Sequence, residues 1–237
     1  MSDKKITSAF ILAAGFGTRL KPYTKELPKA LVLYNGKPMI ENVISKLKII
    51  GITEFYINTH HFAEKMNNYF LKRKSNESIT LIHEKEILGT GGALKNAEEY
   101  LNKHQNFIIY NTDVDCDADM NEFYKFHKNS NSIATLCVQD RITNRYLLCS
   151  KNGILVGRTE DNEEKIYSES VNEENSRKMA FCGIHIVNSR IFNNLRVAPE
   201  KFEIIPFYMN MLKLGEKISI FDITKNRWKD LGIPENL

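Results

Sequence analysis

SAFILAAGFGTRL (residues 8–20) joins an unbroken apolar run to two glycines and an arginine. An apolar run with no polar alternation reads as a strand buried on both faces, the character of parallel strands covered by helices. The same rhythm repeats downstream. PMIENVISKLKIIG (38–51) reads as a helix with Pro38 in its first turn and Gly51 after its last. TEFYINTH (53–60) is a second strand, and Phe62, Met66, Tyr69 and Phe70 follow at helical spacing as a core stripe. SITLIHE (78–84) is a third strand, LGTGGALKNAEEYL (88–101) opens a helix, FIIYNTD (107–113) is a fourth strand, and MNEFYKFH (120–127) is a helix. This alternation predicts an α/β fold, a doubly wound mixed sheet with mostly parallel strands. Beyond residue 132 the pattern changes to short strands, SIATLCVQ, RYLLCS, GILVGR and KMAFCGIHIV, expected to add a small antiparallel extension to the same core. The acidic stretch from Glu160 to Glu174 is expected to be a solvated loop. One domain over 1–237 is expected, with halves at 1–131 and 132–237.

A chain of 237 residues, 42% hydrophobic, can bury one sizeable core. Its net charge of +4 comes from scattered Lys and Arg, which excludes a nucleic-acid partner and suits a small anionic ligand. Cys116, Cys137, Cys149 and Cys182 show no C-x-x-C spacing and fall in strand-like runs, the pattern of buried reduced thiols in a cytoplasmic protein. MSDKKITSAFILAAGFG has too short an apolar run for a signal peptide, and no run has the length of a bilayer span, so no membrane partner is expected. Monomer and homodimer both remain open.

YNTDVDCDADM (110–120) puts an aspartate at every second position from Asp113 to Asp119. A calcium loop would need glycine at its sixth position and glutamate at its twelfth, where this chain has Ala118 and Tyr124. Asp119, three residues before Glu122 and an aromatic run, reads as a helix N-cap. Asp113 follows FIIYN at a strand's carboxyl end, the place where open α/β sheets bind ligands.

The loop after the first strand is not Walker A, and Leu20 stands where a dinucleotide fingerprint has its third glycine. That absence, with Asn42 near the place of an acidic ribose partner, disfavours an NAD-dependent dehydrogenase. Gly15 and Gly17 let backbone N–H groups approach a phosphate. Arg19 adds a planar fork and Lys29, between Pro28 and Ala30, a compact charge. His60 and His61, adjacent on a strand, point to opposite faces and lack further ligands at zinc spacing.

LAAGFGTRLKP followed by LPKAL resembles the signature of the sugar-1-phosphate nucleotidylyltransferases. LGTGGAL (88–94) resembles that family's second glycine segment, NTD (111–113) its N-G-D, and WKDLG (228–232) its W-x-D-[VI]-G. INTHHFAEK and the RYLL element around Arg145 resemble the short branch that contains N-acetylmuramate-1-phosphate uridylyltransferase, beside the mannose-1-phosphate guanylyltransferase-like members. Thr112 departs from N-G-D, FCGIHIV replaces N-A-G-I-Y, and no E-K-P lysine is present for an acceptor phosphate. No left-handed β-helix domain is expected after PENL.

The resemblance implies a Rossmann-like nucleotide-diphospho-sugar transferase fold, with a nucleotide-binding first half and a sugar-phosphate-binding second half. It implies a Mg²⁺-dependent reaction joining a sugar 1-phosphate to the α-phosphate of a nucleoside triphosphate. Arg19, Lys29, Asp113 and Asp230 are the implied catalytic residues, with Asp113 and Asp230 holding the metal. Ala13, Ala14, Gly15, Gly17, Thr18, Glu84, Gly89 and Gly91 are implied on the nucleotide, and Asn111, Arg145 and Gly183 on the acceptor. Arg158 is the next candidate for the acceptor phosphate. UTP with an N-acetylmuramate-1-phosphate-like acceptor is the expected pair; the alternatives are GTP with mannose or heptose 1-phosphate, and an inactive nucleotide-sugar sensor.

Overall fold

The computed structural model describes residues 5–161, 163–168 and 176–237. Its first half runs β1 (Ser8–Leu12), the short hairpin β2 (Leu33–Tyr34) and β3 (Lys37–Pro38), α1 (Met39–Ile49), β4 (Glu54–Thr59), α2 (Ala63–Lys72) and β5 (Ser78–His83). It continues through α3 (Gly89–Asn96), α4 (Glu98–Leu101), β6 (Asn106–Asn111), β7 (Val114–Cys116) and α5 (Met120–Ser130). The second half adds β8 (Ala134–Gln139), β9 (Tyr146–Ser150), β10 (Leu155–Glu160), β11 (Glu163–Ile166) and β12 (Ser176–Asn188). It closes with α6 (Phe192–Leu195), α7 (Ile204–Lys213), β13 (Ile218–Asp222) and β14 (Trp228–Asp230).

Strands β5, β4, β1 and β6 lie side by side in that order, all parallel. The chain therefore moves outward from β1 to β5 and returns to the other side of β1. The crevice between the carboxyl ends of β1 and β6 is the topological switch point, where open α/β sheets bind ligands. Their side chains alternate between two apolar layers, as period-two geometry requires. Phe10, Tyr56, Phe107 and Ile109 pack with α3, α6 and α7. Ala9, Ile11, Phe55, Ile57, Ile108 and Tyr110 pack with α1, α2 and α5. Each such fully buried aromatic or branched side chain contributes about 1.5–3 kcal/mol of transfer free energy, so this double-sided burial fixes the central strands.

The antiparallel extension is built on β12. Its later residues pair with β6, Ile184 opposite Tyr110, and its first five pair with β9. β8 runs along β12 with a break in register between Phe181 and His185, and β13 adds parallel to β8. β9, β10 and β11 complete an antiparallel meander. One sheet thus runs through both halves. The expected solvated loop from Glu160 to Glu174 needs correction at its start, because Glu163–Ile166 pairs with β10 as β11. Glu163, Glu164 and Lys165 are charged and Ile166 alone is apolar, so that strand has no apolar signal; residue 162 and residues 169–175 lie outside the described residues.

Asp119 caps α5 as expected, its Oδ1 accepting from the N–H groups of Asn121 (2.8 Å) and Glu122 (3.2 Å). Among the described residues no helix is long and apolar enough to cross a membrane.

The helix α3 approaches the 200–203 segment so closely that only glycine fits. A Cβ on Gly92 would lie 2.1 Å from the Glu200 carbonyl oxygen, whereas one on Gly15 would meet nothing nearer than Lys29 Nζ at 3.9 Å. Gly92→Ala is therefore expected to destabilise the fold by about 1–3 kcal/mol, and Gly15→Ala to stay within about 0.5 kcal/mol of the parent. Urea midpoints for the two variants test the contrast.

Candidate active site

β1 ends at Leu12, and the loop after it is held by its neighbours. Ala13 N–H donates to Asn58 Oδ1 at 2.6 Å, and Thr24 Oγ1 donates to the Gly17 carbonyl at 2.8 Å. Gly17 has φ +63°, and a Cβ there would lie 2.8 Å from Thr24 Cγ2, so the turn needs glycine twice over. One turn of 3₁₀ helix, Thr18–Leu20, then buries Leu20 and leaves Thr18 and Arg19 outward. A second, Lys29–Leu31, begins after Pro28 and carries Lys29 back toward the crevice.

The carboxylates arrive from two distant segments. β7 and β14 pair antiparallel, with Asp230 opposite Val114, and Leu231 N–H donates to the Asp113 carbonyl at 2.7 Å. Lys29 Nζ lies 2.6 Å from Asp113 Oδ2, and Arg19 Nη1 lies 3.0 Å from Asp230 Oδ2. All converge beside Gly232. A Cβ on that glycine would sit 2.8 Å from both Asp113 Oδ2 and Asp230 Oδ1, and 2.6 Å from Arg19 Nη2. Glycine leaves that point open, and the Gly232 N–H donates to Asp230 Oδ1 at 2.8 Å.

The neighbouring aspartates have other work. Asp115 is buried and bound by Tyr34 Oη (3.1 Å), Lys46 and Arg227, and these partners hold its carboxyl below the usual range against the opposing effect of burial. Asp117 accepts from the Arg227 N–H at 2.8 Å. Thr112, in the glycine position of N-G-D, keeps φ negative and is buried.

A cavity of about 250 Å³ opens at the switch point, walled by Ala14, Gly15, Lys29, Glu84, Gly89, Asn111 and Asp113 among others. Glu84 is 2% exposed, and its carboxyl is raised above the usual range chiefly by burial. It accepts from Asn58 Nδ2 at 2.7 Å and from the Leu88 N–H at 3.2 Å. Ala13, Asn58, Glu84 and Leu88 thus form one chain of hydrogen bonds behind the cavity. Gly183 has φ +73°, and a Cβ there would lie 2.8 Å from Asn111 Nδ2, which places the register break of β12 against the site. A larger cleft of about 1230 Å³ along α3 and α4 shares Glu84 with this cavity but reaches neither carboxylate of the Asp113–Asp230 pair.

Three expected residues lie elsewhere. Gly91 faces Phe202, whose Cε2 is 2.2 Å from the position of a Cβ, so it serves packing, while Gly89 with φ +72° makes the turn into α3. Arg145 is exposed on the β8–β9 connection, its N–H bonded to Thr143 Oγ1. Arg158 is tied to Glu160 at 2.6 Å. His60 Nδ1 contacts the Glu84 carbonyl at 2.9 Å, and no group of three potential metal ligands occurs among the described residues.

The sequence reading missed Asn58, Gly232 and Arg141. Asn58 lies inside a strand segment and Gly232 ends WKDLG without a role read for it, so only the fold shows what they touch. Arg141 stacks on Trp228, with Cζ 3.7 Å from the ring centroid, a contact between segments far apart in the chain.

This fold and site define a nucleotidyl transferase, and the model of that family matches residues 8–237. The chain belongs to that family, among the sugar-1-phosphate nucleotidylyltransferases. It is 32% identical over 229 residues to the mannose-1-phosphate guanyltransferase of Yarrowia lipolytica, covering 95% of this chain and 61% of that relative, so it spans under two thirds of the length of such relatives. It is similar along nearly its whole length to HddC of Yersinia pseudotuberculosis complexed with GMP-PN (25% identity, 98% and 96% coverage, TM-score 0.75). The inositol-1-phosphate CTP transferase from T. maritima, 14% identical with 99% and 92% coverage, shares the fold with a TM-score of 0.79.

Asp113 and Asp115 should respond oppositely to the same substitution. Asp113→Asn is expected to leave urea stability within about 1 kcal/mol, because losing the Lys29 pair is offset by relief of the repulsion between Asp113 and Asp230, yet to weaken Mn²⁺ binding in calorimetric titration at least tenfold. Asp115→Asn should cost more, about 1–3 kcal/mol, since it removes the buried acceptor on which Tyr34, half-buried Lys46 and Arg227 converge, while a folded fraction retains the metal.

Proposed function

We propose that the chain transfers a guanylyl group from GTP to an aldose 1-phosphate of the mannose class, giving a GDP-sugar and pyrophosphate. The observation that carries this reading is the convergence of Asp113, Asp230, Lys29 and Arg19 at the switch point, with buried Glu84 on the adjoining wall. Two hard oxygen donors around a point left open by Gly232 fit Mg²⁺, which takes one or two carboxylates and completes its shell with water and substrate phosphates. Asp113 and Asp230 would hold it, and when bound it screens phosphate charge and polarises the α-phosphate.

The remaining tasks fall to side chains of this protein. A phosphate monoester has its second pKa near about 6, so the attacking acceptor oxygen needs no general base at neutral pH. That oxygen bonds to the α-phosphorus as the bond to the β-phosphate bridge breaks, and the electron pair leaves with pyrophosphate. Lys29, held beside the reacting centre, stabilises charge on the α-phosphate; Arg19, outward and mobile at its tip, takes the departing β- and γ-phosphates. The loop at Gly15 and Gly17 offers its N–H groups to the triphosphate.

Glu84 is the reason to choose guanine. A carboxylate has about four acceptor sites, of which Asn58 and Leu88 occupy two. Guanine presents N1–H and N2–H₂ side by side to such an acceptor, whereas uracil presents one N–H flanked by two carbonyl oxygens that a carboxylate repels. Relatives and a solved neighbour named for guanyl transfer or bound to a guanine nucleotide support the same choice. An inactive sensor is disfavoured because all four charged residues are present and aligned.

Pyrophosphate release from each nucleoside triphosphate, paired with mannose, heptose, glucose and N-acetylmuramate 1-phosphates and Mg²⁺, tests the proposal. GTP with a mannose-type acceptor is expected to give the highest kcat/KM; dominant turnover of UTP would overturn it in favour of the uridylyl branch. Glu84→Gln, which replaces one acceptor with a donor, should lower the GTP-to-UTP ratio of kcat/KM at least tenfold, about 1.4 kcal/mol.

A further inference from the structure

Among the described residues Arg141 is a cation without a counter-charge. It leaves β8 in the connection to β9 and folds back over Trp228, where its guanidinium lies flat on the ring at 3.7 Å. One Nη donates to the Phe181 carbonyl at 2.9 Å, and Nε is buried with no partner. Among the described residues no carboxylate lies within ion-pair distance of it, although the partly buried cations Lys29, Lys46 and Arg73 each have one. Its neighbour Cys182 cannot serve, because burial pushes that thiol up to about 12 and keeps it neutral. Leaving a partly desolvated guanidinium unpaired is costly, so a position like this is one that a ligand anion completes.

Its place in the fold says which anion. Trp228 Nε1 donates to the Cys182 carbonyl at 2.9 Å, which fixes the ring against β12 next to Gly183 and Asn111. Trp228 and Asp230 lie two residues apart on β14 and so share a face. The guanidinium therefore stands on the β12 side of the Asp113–Asp230 pair, opposite the glycine loop and Glu84. We infer that Arg141 receives the phosphate of the sugar 1-phosphate, in place of exposed Arg145 and Glu160-bound Arg158. This inference rests on the transferase reading above. Stacking on Trp228 holds the planar fork in one orientation before the acceptor arrives, which lowers the ordering cost of a bidentate grip.

Trp228 is the only tryptophan of the chain, so its fluorescence reports on this contact directly. Titration with mannose 1-phosphate, and separately with inorganic phosphate, is expected to change that fluorescence saturably in the parent protein. Arg141→Ala should weaken the response and raise KM for the acceptor at least tenfold, about 1.4 kcal/mol. KM for the nucleotide and the melting temperature should hardly move, and Arg141→Lys should restore only part of the loss. A purely structural cross-link predicts something else, a lower melting temperature with both KM values shifted together, and that result would overturn the inference. So would an unchanged acceptor response in Arg141→Ala, no response in the parent protein, or a larger acceptor defect in Arg145→Ala. Failure of the transferase reading is separately visible as phosphate-dependent fluorescence with no pyrophosphate release from any substrate pair.

Discussion

Two carboxylates held at one point repel each other, and the site depends on how that repulsion is offset. Asp113 is fixed by the strand pair β7 and β14, which also delivers Asp230, so neither can retreat. Lys29 and Arg19 each close on one of them, and the two pairs differ in setting. The Lys29–Asp113 pair is mostly shielded from solvent, with side chains 15% and 12% exposed, while the Arg19 side chain is 59% exposed. Exposed pairs contribute little, so Arg19 is the cation most easily drawn from its carboxylate to an arriving phosphate.

The constraint propagates backward into the fold. β7 is short, and its hold comes from Asp115 and its partners Lys46, Tyr34 and Arg227 as well as from pairing with β14. Leu20, Val32, Tyr34, Met39 and Leu231 form a small apolar cluster that ties the glycine loop, the first hairpin and the residue after Asp230 into one unit. Arg19 lies next to Leu20 and Asp230 next to Leu231, so burying the two leucines positions the charged pair. The charged groups therefore sit on an underside of packed apolar side chains.

Much of this was legible in the sequence because its signals are local. SAFIL and FIIYN are buried strands with the period and composition of buried strands, and Asp119 caps α5 through bonds to the next residues in the chain. The charged quartet was legible from motifs that keep their spacing. What escaped depends on contacts between distant segments. Gly91 shares a glycine motif with Gly89 and both lie against Phe202, so only the backbone angle, φ +72° at Gly89, separates the turn glycine from the packing glycine. Arg145 drew attention by preceding an apolar run, yet Arg141, four residues earlier, is the arginine that meets Trp228. β11 carries three charged residues of four and has no apolar face to declare it.

The division of labour between the sheet's two styles follows from the same geometry. Parallel strands buried on both faces cannot carry charge along their length, so β1 and β6 hold no charged side chain, and the Ala13 N–H and Asn111 stand at their carboxyl ends. The antiparallel extension is under no such limit. β12 changes partner from β9 to β6 along its length, and the break between Phe181 and His185, with Gly183 at φ +73°, turns backbone carbonyls toward Arg141 and Trp228. A regular ladder would have kept those carbonyls paired along the strand. Irregularity at this one place is what allows the second half of the chain to reach the crevice that the first half makes, and it requires glycine at residue 183, because a side chain there would strike Asn111.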